Sequence, residues 1–71
     1  MTSQTSSITL NGEPRTVATG ATIGSLLEAL DLAGKRVAVE RNGSIVPRAR
    51  HGDTLLADGD RIEIVVAVGG G

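Results

Sequence analysis

At 71 residues the chain supports one small domain, with a core near the lower limit for independent stability. It contains no Phe, Tyr, Trp or Cys, so burial rests on Ile, Leu, Val and Ala, and disulfides, thiolate nucleophiles and Cys-based metal sites are excluded. A formal net charge of -1, without a basic stripe or stacking aromatics, argues against nucleic acid as the main partner and against a polybasic membrane anchor.

Residues 1–7 are polar, with neither a basic nor an apolar signal region, and read as a flexible arm ahead of a domain spanning 8–68. Ile8 and Leu10 alternate with Thr9 and Asn11, and Asn11-Gly12 is a favoured hairpin dipeptide, so Ser7 to Ala18 reads as two antiparallel strands. Pro14 fits the edge side, where no ladder donor is needed. The period then changes: Ile23, Leu26, Leu27 and Leu30 fall on one face of a helix expected from Ile23 to Leu32, with Thr22 as N-cap and Gly34 as its stop. Gly24 weakens that helix by about 1 kcal/mol relative to Ala, so packing must hold it.

Val37 and Val39 mark a third strand, and Asn42-Gly43 turns it into a short fourth strand, Ser44 to Val46, which Pro47 ends. Leu55 and Leu56 are the apolar residues of the polar stretch that follows and are expected to plug one end of the core. Asp58-Gly59-Asp60 makes the turn into a final strand, Arg61 to Val68, with Ile62, Ile64, Val66 and Val68 facing the helix. Its longest apolar run, Ile64 to Val68, is far too short to cross a bilayer, and a cytoplasmic protein is the default expectation.

This order of elements predicts an α+β fold of the β-grasp, ubiquitin-like type: a mixed sheet of four to five strands with one helix packed on one face. The first and last strands would lie parallel and adjacent, with the helix in the long connection between them. Val65 and Ala67 then point to the face away from the helix, where a solvated sheet would carry polar residues. Together with Ala38, and one of Ile45 or Val46, they form a candidate partner-docking surface. Straight after this strand come Gly69, Gly70 and Gly71, a flexible tail that a core cannot use and a partner could thread.

A small pattern of this kind ending in Gly-Gly resembles the ThiS family of sulfur-carrier proteins, which serve formation of the thiazole ring of thiamine. The resemblance rests on VAVERNGSIVPR (Val37 to Arg48), LADGDRIEI (Leu56 to Ile64) and the glycine end, and covers roughly Ile8 to Gly71. The chain departs from some relatives in having no aromatic residue before the tail and a longer polar start. The resemblance implies a carrier that catalyses nothing itself. A ThiF-like adenylating enzyme would use MgATP to activate the Gly71 carboxylate, which is otherwise too electron-rich to be attacked. A persulfide enzyme would then supply sulfur to give a thiocarboxylate, and thiazole synthase would accept it. The carrier binds no cofactor on this reading and is expected to be a monomer when free.

Other residues carry weaker signals. His51, the single histidine, has no constellation around it and reads as a surface loop residue without a role. Asp53, Asp58 and Asp60 lack calcium-loop spacing and read as turn chemistry, so no metal site is expected. Arg48 and Arg50 read as solvated loop cations, and Asn42-Gly43 as a turn and nothing more. Three rival functions remain open on sequence: a MoaD-type carrier for molybdopterin synthesis, a ubiquitin-like modifier conjugated through Gly71, and an interaction module whose glycine tail is incidental.

Overall fold

A computed structural model describes residues 4–67. The chain forms β1 (Thr5–Leu10), β2 (Glu13–Ala18), the helix α1 (Ile23–Ala29), β3 (Val37–Arg41), β4 (Ser44–Val46), a single 3-10 turn (Arg48–Arg50) and β5 (Arg61–Val66). The five strands make one sheet in the order β2-β1-β5-β3-β4, with β5 parallel to β1 and antiparallel to β3. The last strand thus returns to the centre, as the β-grasp expectation requires. Both hairpin turns carry positive φ at their two central residues, 49° and 84° at Asn11-Gly12 and 52° and 87° at Asn42-Gly43. That double left-handed geometry matches the twist of the flanking strands and is tolerated best by this dipeptide.

The first strand begins earlier than the sequence suggests. Thr5, Ser6 and Ser7 belong to β1 and pair with Ala18, Val17 and Thr16 of β2. Their polar side chains do not prevent this, because the ladder uses backbone groups and β2 is long enough to offer them. The far side of Ser7 is tied as well: its amide donates to Asp58 Oδ1 at 2.7 Å and its carbonyl accepts from Gly59 N at 2.7 Å.

The helix begins as its sequence implies. Thr22 Oγ1 accepts from the Ser25 amide while Ser25 Oγ accepts from the Thr22 amide, a reciprocal cap that satisfies two donors at the helix start. It ends at Ala29, earlier than the expected Leu32, because Asp31 turns left-handed at φ 62°. The Asp31 amide then donates to Glu28 O and the Leu32 amide to Leu27 O, closing a Schellman motif before Gly34 is reached. Gly24 sits where the backbone of the following loop comes close. Its amide donates to His51 O at 2.8 Å, and a Cβ there would lie 3.4 Å from both that oxygen and Gly52 Cα. A Cβ alone would sit at contact distance, so only a side chain larger than Ala would press on the loop.

The core between helix and sheet consists of Ile8, Ile23, Leu26, Leu27, Val39, Leu56, Ile62 and Ile64. Leu56 plugs it as expected, whereas Leu55 is exposed. The segment is extended here, with Leu55 bridging Thr22, so neighbouring side chains point opposite ways and only one can enter. Val66 is also 40% exposed although its parity matches Ile62 and Ile64. A helix of this length rises about 10 Å whereas β5 extends about 20 Å, so the end of the strand outruns its cover. Val68 lies outside the described residues.

β5 is further pinned by side chains from both turns. Asn11 Oδ1 accepts from the Ile64 amide at 2.8 Å and its Nδ2 donates to Ile64 O at 3.3 Å. Asn42 Oδ1 accepts from the Arg61 amide at 2.8 Å, so this residue does more than turn the chain. Asp60, read from sequence as turn chemistry, is buried and accepts from Arg41 Nε (2.8 Å), the Ala57 amide (2.8 Å) and Asn42 Nδ2 (3.0 Å). Burial on its own would raise the Asp60 pKa, but these three hydrogen bonds and the Arg41 charge together hold it below the ordinary 3.8.

Two stability predictions follow from these contacts. Ile62 is fully buried in a core without aromatics, and Ile62→Ala is expected to cost about 2–5 kcal/mol in urea unfolding, much of what so small a domain has. For Asp60 the folded pKa is depressed, so the unfolded chain binds more protons in acid. Its contribution is complete above the unfolded value near pH 4 and is lost as pH falls through the folded pKa. Asp60→Asn should cost about 1–3 kcal/mol at neutral pH. It should also flatten the fall in stability below pH 4, read from denaturation midpoints across that window; an unchanged acid profile would refute the assignment.

Candidate functional site

The sheet has one face covered by α1 and one that the helix leaves open. Alternation along β5 sends Ile62 and Ile64 inward and Arg61, Glu63 and Val65 outward. Register then brings β3 into line: Ala38 pairs with Val65, and Glu40 with Glu63. Val65 is 65% exposed, an unusual position for a branched apolar residue in a central strand. Beyond the ladder, Ala67 keeps the same parity and its amide donates to Arg36 O at 2.9 Å, which holds it against the start of β3. Ala38, Val65 and Ala67 therefore lie together and exposed, and with Arg36, Val37 and Arg48 they line one shallow surface depression.

The arginines at this depression are what sequence reasoning missed. Arg48 read as a solvated loop cation, but the 3-10 turn after Pro47 carries it back toward β3. Of the two residues offered as an extension of the patch, Ile45 is 72% exposed and pairs with Glu40, whereas Val46 packs against the core. Gly69, Gly70 and Gly71 lie outside the described residues. Connectivity alone fixes where they start: the chain leaves the described fold at Ala67, on the open face.

His51 is not the surface residue that its isolation suggested. It is buried, and its Nε2 lies 3.0 Å from Val46 O. A carbonyl oxygen can only accept, so Nε2 is the donor, and the bond anchors the 3-10 turn to β4. No sequence spacing could have shown it, because the partner is a backbone carbonyl. Among the described residues no group of three or more His, Cys, Asp or Glu could hold a metal ion, and no helix is long and apolar enough to cross a membrane.

The fold has close counterparts. A crystal structure of a thiamine biosynthesis protein (ThiS) from Geobacter metallireducens superposes with a TM-score of 0.77 at 38% identity, covering 92% of this chain and 99% of that one. The sulfur carrier protein ThiS of Bacillus subtilis is 48% identical over 50 residues, which are 70% of this chain and 76% of the relative. A thiazole synthase of Magnetococcus marinus is 45% identical over 64 residues, 90% of this chain but 20% of that protein. The chain thus spans about a fifth of the length of the thiazole synthases that it matches. The ThiS family model matches residues 8–71, nearly the whole sequence, and with the β-grasp topology and the open apolar face this places the chain in the ThiS family.

Proposed function

We propose that the chain is a sulfur carrier for thiazole formation in thiamine biosynthesis, acting through the carboxyl group of Gly71. The observation that carries the reading is the position of β5. Its exposed residues Val65 and Ala67 form an apolar face with Ala38, and the Val68–Gly71 segment begins at the edge of that face. A partner that binds the face has the tail delivered to it. Four residues beyond Ala67 reach at most about 14 Å, which sets how far from the docking surface a partner's reactive centre can lie.

The chemistry explains why glycines stand there. A carboxylate spreads its charge over two oxygens and resists nucleophiles, so a ThiF-like enzyme joins it to AMP from MgATP and releases pyrophosphate. The outer sulfur of a donor persulfide then attacks the acyl carbon and displaces AMP, giving an acyl disulfide. A thiol reductant attacks the donor's sulfur, forms a disulfide with it and releases the thiocarboxylate, a soft nucleophile that thiazole synthase turns on a carbonyl-derived substrate. A side chain at Gly71 would crowd the acyl carbon, and one at Gly69 or Gly70 would widen a stalk that passes through a channel. The fold contributes no acid, base or nucleophile to these steps and serves as a protein cosubstrate. Membership in the ThiS family and the name of the Bacillus subtilis relative support this reading over the molybdopterin and modifier alternatives.

Intact-mass analysis after incubation with MgATP, the adenylating enzyme and a persulfide donor should show replacement of one oxygen by sulfur. Amidation of the Gly71 carboxyl should abolish the change, and Gly71→Val should slow it, while the melting temperature stays the same. Val65→Asp places a charge on the apolar face without touching the core, and should lower the rate of loading by at least about tenfold, as a hot-spot loss would. Sulfur transfer only to a molybdopterin-forming system, or adducts on lysines of other proteins, would overturn the proposal.

A further inference from the structure

Beside the apolar row of the open face lies a pair of like charges. Glu40 on β3 and Glu63 on β5 are direct cross-strand partners, both exposed, next to the Ala38–Val65 pair, and Ile45 on β4 faces Glu40 from the other side. Directly opposed side chains place their Cβ atoms about 4.5–5.5 Å apart, a distance at which like charges weaken a sheet. Neither carboxylate is in an ion pair: the one ion pair among the described residues joins Arg41 to Asp60, and Arg36 and Arg48 stand at the far end of the apolar row. Arg61 shares the face, two positions before Glu63, yet makes no ion pair with it. Gln at either position would keep the strand and remove the repulsion. The free domain therefore holds two unpaired carboxylates side by side in its central strands, within the surface that it offers to partners.

We infer that this face seats a protein surface presenting an arginine beside an apolar side chain, with the guanidinium bridging Glu40 and Glu63 while the apolar group settles on Ala38, Val65 and Ala67. Arginine suits the gap better than lysine, because its planar fork carries five donors and can serve two carboxylates at once. A metal ion is the poorer occupant, since no third ligand accompanies the two carboxylates among the described residues. The occupant is thiazole synthase, on two grounds: a region like this chain lies within the longer thiazole synthases it matches, and the apolar row leads directly to the tail. The assignment rests on the proposed carrier function.

The test titrates the 71-residue chain, Glu40→Gln, Glu63→Gln and the double variant E40Q/E63Q into thiazole synthase of the same organism, at low and high salt. Binding of the unaltered chain should weaken with salt. The double variant should bind at least about tenfold more weakly at low salt, with most of the salt dependence gone. Its melting temperature should be equal or higher, since relief of like-charge opposition stabilises the free sheet. Equal affinity and an equal salt response in the double variant would overturn the inference, and so would weaker binding accompanied by a lower melting temperature, which marks a structural role. Failure of the unaltered chain to bind at all would overturn the carrier reading and this assignment with it.

Discussion

The central position of β5 is the constraint on which the rest of the molecule depends. A strand paired on both edges must present alternate residues to two environments, and here Ile62 and Ile64 fill the core while Glu63 and Val65 form the open face. A slip of one residue would exchange those sets and abolish both. The register is held by more than the ladder. Asn11 from the first turn and Asn42 from the second each use a side-chain amide to bond β5 backbone, so the residues that make left-handed turns possible also act as clamps.

Asp60 extends the same device to the beginning of the strand. A carboxylate buried in a small domain is costly unless its oxygens are satisfied, and here a guanidinium, a backbone amide and a side-chain amide satisfy them. The result joins β3, the second turn and the start of β5 into one polar knot beside a core made only of aliphatic side chains. Without aromatics the core has few large contact surfaces to specify a unique packing, and directional hydrogen bonds supply part of that specificity.

The division of labour between the two faces of the sheet follows. One face is covered by a helix whose ends are fixed by the Thr22–Ser25 cap and the Asp31 turn, and this face provides stability. The other holds residues that stability would not select: exposed Val65, exposed Ile45 and an opposed pair of glutamates. Such a surface suits the proposed carrier, which must be recognised by enzymes and released from them.

The sequence by itself determined the elements and their order. Alternation in β1, β3 and β5, the helical spacing of Ile23, Leu26 and Leu27 and the two Asn-Gly turns are local signals, and each arises from backbone geometry within a few residues. The outward parity of Val65 and Ala67 was legible for the same reason, as was the family likeness in Val37 to Arg48. Tertiary structure alone decided what depends on residues far apart in the chain. Pairing with β2 drew Thr5 to Ser7 into the sheet, and limited helix cover left Val66 exposed. Folding of the loop buried His51 against Val46 and brought Arg48 to the apolar face. The burial of Asp60 and the opposition of Glu40 and Glu63 depend on register between strands about twenty residues apart or more, and no local pattern encodes register.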